Sequence, residues 1–89
     1  MAFTWDETKR KGNIHNHGID FVDAVHIFDG YTVSVEDARF DYGEARYITL
    51  GMMHNFVVIL VVHTFENDDT IRIISARKAT KYERKRYFE

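Results

Sequence analysis

Seven consecutive apolar residues, Phe56-Val57-Val58-Ile59-Leu60-Val61-Val62, limit what this chain can fold into more than any other stretch. Successive side chains of a strand point to opposite faces, so a strand of this composition is apolar on both. It must lie in the middle of a sheet and be covered on each side. The run is far too short to cross a bilayer. An 89-residue chain has room for one small core and no second one. A single domain over residues 1–89 is therefore expected, with covering elements on both sides of the run.

The flanking sequence supplies those elements. Residues 2–5 are β-prone and read as an edge strand. Asp6 is a good N-cap for a helix over residues 7–17, and Gly18 suits a left-handed C-cap. That helix is polar, with Ile14 as its strong apolar contact. Asp20 caps a second helix in which Phe21, Ala24, Val25 and Phe28 form an i, i+3, i+4, i+7 stripe, ended by Gly30. From Tyr31 the period changes to two. Strands are expected over residues 31–35, 46–52, 55–64 and 70–77, with an acidic loop at 36–43 and a turn at 66–69. Thr80-x-x-Glu83 has capping-box spacing and starts a final, basic helix. The order β-α-α-β-β-β-β-α predicts an α+β domain: an antiparallel sheet, two N-terminal helices and one basic C-terminal helix.

Composition narrows the chemistry. The chain is 45% hydrophobic, has 13 aromatic residues and contains no cysteine. Packing alone must hold the core, which suits a reducing cytosol, and thiolate metal sites are excluded. The N-terminus lacks a signal pattern. Residues 70–89 carry seven Lys/Arg against two Glu, and residues 1–69 carry five against twelve Asp/Glu. A +5 segment thus sits on a −7 body, a pattern that suits either an anion or nucleic-acid footprint or a solvated helix face.

Strand parity brings polar side chains together. A four-residue turn at 66–69 would set His63 opposite Arg72, and a two-residue turn at His54-Asn55 would set Arg46 opposite His63. Arg46, His63 and Arg72 would then cross three strands on one face. Arg77 would point to the other face but sit at the strand end, beside the helix start. Cleaving an RNA phosphodiester needs groups to move protons and cations for the developing charge. Histidine suits the first task and the arginine fork the second, without a metal. The plainer alternative is that the arginines are solvated strand ends and His63 is a satisfied, half-buried residue. His15-x-His17 is not a helical metal spacing, and His26 and His54 read as lone surface or capping histidines. Tyr87 and Phe88 could stack on bases or dock the last helix.

Several motifs carry a resemblance. Phe3-x-Trp5-Asp6, Asn13-x-x-x-His17-Gly18-x-x-Phe21-x-x-Ala24, Asp41-Tyr42-Gly43-Glu44-x-Arg46 and Val62-His63-Thr64 are followed by a last, most specific one. It runs Arg72-Ile73-Ile74-Ser75-Ala76-Arg77-Lys78-Ala79-Thr80-x-x-Glu83-Arg84-x-x-Tyr87. From end to end the chain resembles the BrnT toxins. The resemblance implies a RelE-like ribonuclease toxin of a bacterial type II toxin–antitoxin system. It implies a cytoplasmic protein that arrests translation without a metal or other cofactor. The implied partners are RNA and a BrnA-like ribbon-helix-helix antitoxin, with operator DNA reached only through the antitoxin. On this reading Arg46 and Arg77 hold the phosphate, His63 or Glu83 moves protons, Tyr87 orients the substrate, and Arg72, Lys78, Lys81 and Arg84 track the backbone. The basic helix would serve RNA and antitoxin in turn. A second possibility is a non-catalytic protein that acts only as its antitoxin's co-repressor.

Overall fold

In the computed structural model the described residues are 1–39 and 41–89; Phe40, in the expected acidic loop, lies outside them. The caps act as their chemistry suggests. The Asp6 carboxylate accepts from the Lys9 N–H at the start of α1 (Glu7–His17), and Gly18, at φ 69°, closes it. Asp20 accepts from the Val22 N–H, but the second helix is regular only over α2 (Phe21–Ala24). It then tightens into a 3-10 turn, Val25–Asp29, which buries Ile27. This turn is pressed onto the sheet at Gly51, where a Cβ would lie 2.5 Å from the Ile27 Cβ.

The strands are β1 (Ala2–Trp5), β2 (Thr32–Asp37), β3 (Arg46–Met52), β4 (Val58–Asn67) and β5 (Thr70–Lys78), and the chain ends in α3 (Lys81–Phe88). The sheet order is β1-β5-β4-β3-β2, which makes β4 central. The sheet is mixed, not antiparallel throughout: β1 runs parallel to β5. Four short residues at an edge do not encode which neighbour they will meet, so the direction of this pairing was not readable locally. The apolar run also starts late as a strand. Phe56 and Val57 precede β4, and Phe56 is 82% exposed.

On one face, α1, α2 and the 3-10 turn cover β4 and β5, burying Phe21, Ile27, Ile59, Val61, Ile71 and Ile73. On the other face α3 packs through Tyr87 against Leu50, Val58 and Leu60. Ile14 does not anchor α1; it is 39% exposed. The anchor is buried Asn13. Its amide donates to the carbonyls of Ile19 and Ala76 at 2.8 and 2.9 Å and accepts from the Ala76 N–H at 3.0 Å. β1 pairs with β5 only as far as Ile73. Beyond that point the Asn13 side chain takes the place of a neighbouring strand for the backbone of Ala76.

Candidate functional site

Three irregularities decide which side chains share a face. The β3–β4 loop closes with the Met53 N–H bonded to the Val57 carbonyl and the Phe56 N–H bonded to the Met53 carbonyl. Phe56 has φ +67°. This is a turn followed by a left-handed residue, one residue longer than the expected two-residue turn. Tyr47, not Arg46, therefore faces His63. Across the other ladder the turn is tighter than the expected 66–69: β4 runs on to Asn67, which faces Thr70, and Glu66 is extra, so His63 faces Ile73 and Arg72 faces Thr64. A one-residue slip moves a side chain to the opposite face. The expected line of Arg46, His63 and Arg72 is therefore replaced by Arg46, Thr64 and Arg72. A bulge then occurs between Val62 and His63, where the partners step from Ser75 to Ile73 and Ile74 is extra. It reverses parity again, so Arg77 joins the face of Leu60 and Val62.

That face carries an open groove of about 490 Å³. Val33, Val35, Ile48, Leu50, Leu60 and Val62 form its apolar floor, and Arg39, Arg77, Tyr82, Glu83 and Arg86 line it as well. The strand-to-helix junction shapes the polar part. Glu83 accepts both the Thr80 N–H, at 2.8 Å, and a forked pair of bonds from Arg77, at 2.8 and 3.0 Å. The Arg77 guanidinium, followed by the Thr80 N–H, holds the Glu83 carboxyl down at about 2. Arg39 forks onto buried Asp37 at 2.8 and 3.0 Å, which lowers that carboxyl to about 2 as well. Arg39 and Arg77 lie close enough for their charges to repel. Two tethered guanidiniums over an apolar floor are suited to an anion whose remaining surface is flat and apolar, such as a nucleotide. Arg46 lies beside this face with its guanidinium 4.0 Å from the Tyr42 ring centroid, and its Nε has no hydrogen-bond partner among the described residues. Arg72 is held by Glu44 at 2.7 Å.

Other expected site residues lie elsewhere. His63 is 2% exposed on the opposite face, boxed by Phe28, Tyr47 and Phe65. Its Nε2 is 2.7 Å from the Thr49 hydroxyl, and burial pushes its pKa down to about 4. It is a neutral core residue at physiological pH and has no route to the groove. Tyr87 is buried, and its hydroxyl donates to the Tyr31 carbonyl at 3.0 Å, so it docks α3. Lys78, Lys81 and Arg84 line a second cleft, which adjoins the groove at Tyr82. Arg39 and Arg86 were missed. Nothing in the local sequence separates them from surface arginines, because tertiary packing alone brings them to Arg77. His26 and His54 are not lone histidines: their ring centroids lie 4.5 Å apart, tilted at 33°. With Asp29 they offer exposed ligand atoms all within 4.8 Å of one another, the one such metal-capable group among the described residues.

Comparisons with known proteins agree on one family. A family model described as "Ribonuclease toxin, BrnT, of type II toxin-antitoxin system" matches residues 5–83. The crystal structure of the Brucella abortus ribonuclease toxin BrnT matches this fold with a TM-score of 0.69 at 27% sequence identity, covering 91% of this chain and 99% of that one. No curated protein matches the sequence.

Proposed function

Because this chain belongs to the BrnT family of ribonuclease toxins from type II toxin–antitoxin systems, we propose that it is an endoribonuclease whose substrate lies in the groove at Arg77. The forked Arg77–Glu83 pair at the junction of β5 and α3 carries this reading. A scissile phosphate entering the groove would take over the Arg77 fork, with Arg39 and Arg86 adding positive charge. Glu83 would keep the Thr80 N–H but lose its strongest partner. Its carboxylate would thereby gain basicity and accept the proton of the attacking 2′-hydroxyl. As the 2′-oxygen bonds to phosphorus the bond to the 5′-oxygen breaks, and the departing 5′-oxygen takes a proton from water. Arginines would stabilise the phosphorane, so no metal is required. Arg46 and Arg72 would extend the cationic track along the same face. His63 and Tyr87 would hold the sheet and α3 in place.

The proposal extends to the system. Cleavage would arrest translation in the bacterial cytoplasm. A BrnA-like ribbon-helix-helix antitoxin would neutralise the toxin and carry the complex to operator DNA. The test is RNA cleavage by the purified chain in excess EDTA. Cleavage should proceed at an unchanged rate. Activity that vanishes on chelation and returns with Mg²⁺ would overturn the arginine mechanism. No cleavage under any condition would favour a non-catalytic co-repressor.

A further inference from the structure

A second cleft, of about 1040 Å³, opens between α3 and the β3–β4 loop. Phe56, Tyr82 and Phe88 line it, and they are 82, 68 and 65% exposed. Large aromatics gathered this openly on a small protein mark an interaction surface. Phe56 is the most informative of the three. It occupies the left-handed position of its loop, at φ +67°. That position is normally taken by glycine, because a bulky side chain there is strained. The fold gains no burial from a ring this exposed. A local rule broken without benefit to the core points to a function outside it.

Charge identifies the occupant. Lys78, Lys81, Arg84 and Lys85 surround the three rings. The floor between them is aliphatic, formed by Val57, Val58 and Ala79. The rings alone could stack on bases, so RNA is the competing occupant that the experiment below must separate. The aliphatic floor between the rings and its cationic rim fit a protein segment that alternates apolar anchors with carboxylates, and the proposed RNA site is the Arg77 groove. We propose that this cleft docks an acidic, apolar-anchored segment of the antitoxin, leaving the adjoining Arg77 groove to RNA. The proposal rests on the toxin reading above for the existence of that partner. It replaces a basic helix shared in turn by RNA and antitoxin with a helix whose two sides are divided between them.

The experiment measures binding of a BrnA-like ribbon-helix-helix antitoxin, the partner of the toxin reading, in parallel with RNA cleavage by the free protein. Phe56→Gly should leave the melting temperature unchanged or higher, since it relieves a strained backbone. It should weaken antitoxin binding about tenfold, and the Phe56→Gly/Phe88→Ala pair about a hundredfold, with RNA cleavage unchanged. Lys81→Gln/Lys85→Gln should flatten the salt dependence of antitoxin binding, whereas Phe56→Gly should not. Unchanged antitoxin affinity in the Phe56/Phe88 pair, or no antitoxin binding by the wild type, would overturn the proposal. So would RNA cleavage falling while antitoxin affinity holds, which would assign the cleft to RNA. A wild type that binds antitoxin but cleaves nothing would refute the ribonuclease reading alone, because the affinity comparisons would still decide the cleft.

Discussion

Arg77 and His63 are close in the sequence pattern and have opposite fates. Arg77 is 39% exposed at its side chain and forks onto Glu83. Arg77→Ala should lower RNA cleavage about a hundredfold, the usual cost of losing one donor to a developing charge. Stability should change by less than about 1 kcal/mol, because the pair is partly solvated and Glu83 keeps its bond to Thr80. Arg77→Lys should recover only part of the rate, since it restores the charge but not the fork. A folded, fully active Arg77→Ala protein would remove the residue from the mechanism. For His63 the expectation is a stability effect. Its folded pKa, about 4, lies below the ordinary histidine value. The unfolded chain therefore binds the extra proton between the two values. Stability is complete above about pH 6.5 and falls as pH drops toward 4, by roughly 2 kcal/mol between pH 7 and pH 5. His63→Gln should remove that contribution in urea titrations and leave the pH profile of cleavage unaltered. A changed cleavage profile would show that the imidazole reaches the substrate after all.

At the level of elements, small polar groups hold the helices to the sheet. Thr80 accepts from the Glu83 N–H and completes a capping box at the start of α3. Thr80→Ala should cost about 1 kcal/mol by urea unfolding. It should also loosen Glu83, and with it the hold on Arg77. Asn13 makes three buried hydrogen bonds to backbone, two of them to Ala76. Asn13→Ala should cost roughly 2–3 kcal/mol, because the N–H and carbonyl of Ala76 lose their partner away from water. Asn13→Asp keeps the acceptor but loses the donors, and should be nearly as damaging. An effect below about 0.5 kcal/mol would mean that water replaces the side chain there. The caps were legible because Asp, Thr and Gly each act on backbone within a few residues of themselves. Asn13 was not: its partner is 63 residues away, and on a polar helix it looks like any other surface amide.

Taken whole, the molecule divides its basic C-terminal segment by geometry. Arg77 and Arg86 turn to the groove, while Lys78, Lys81, Arg84 and Lys85 line the aromatic cleft. The net +5 was visible in the sequence, but its division was not. Among the described residues no helix is long and apolar enough to cross a membrane. The sequence by itself determined the helix starts, the strands and the central place of the apolar run, because caps and periodicity act over one or two turns of chain. The quoted motifs likewise marked the family without any structure. Tertiary structure alone decided the parallel β1–β5 pairing, the burial of His63, and the meeting of Arg39, Arg77 and Arg86. The last two depend on register. Register turned on a left-handed Phe56 and on extra residues at Glu66 and Ile74, none of them a glycine that would have announced the break.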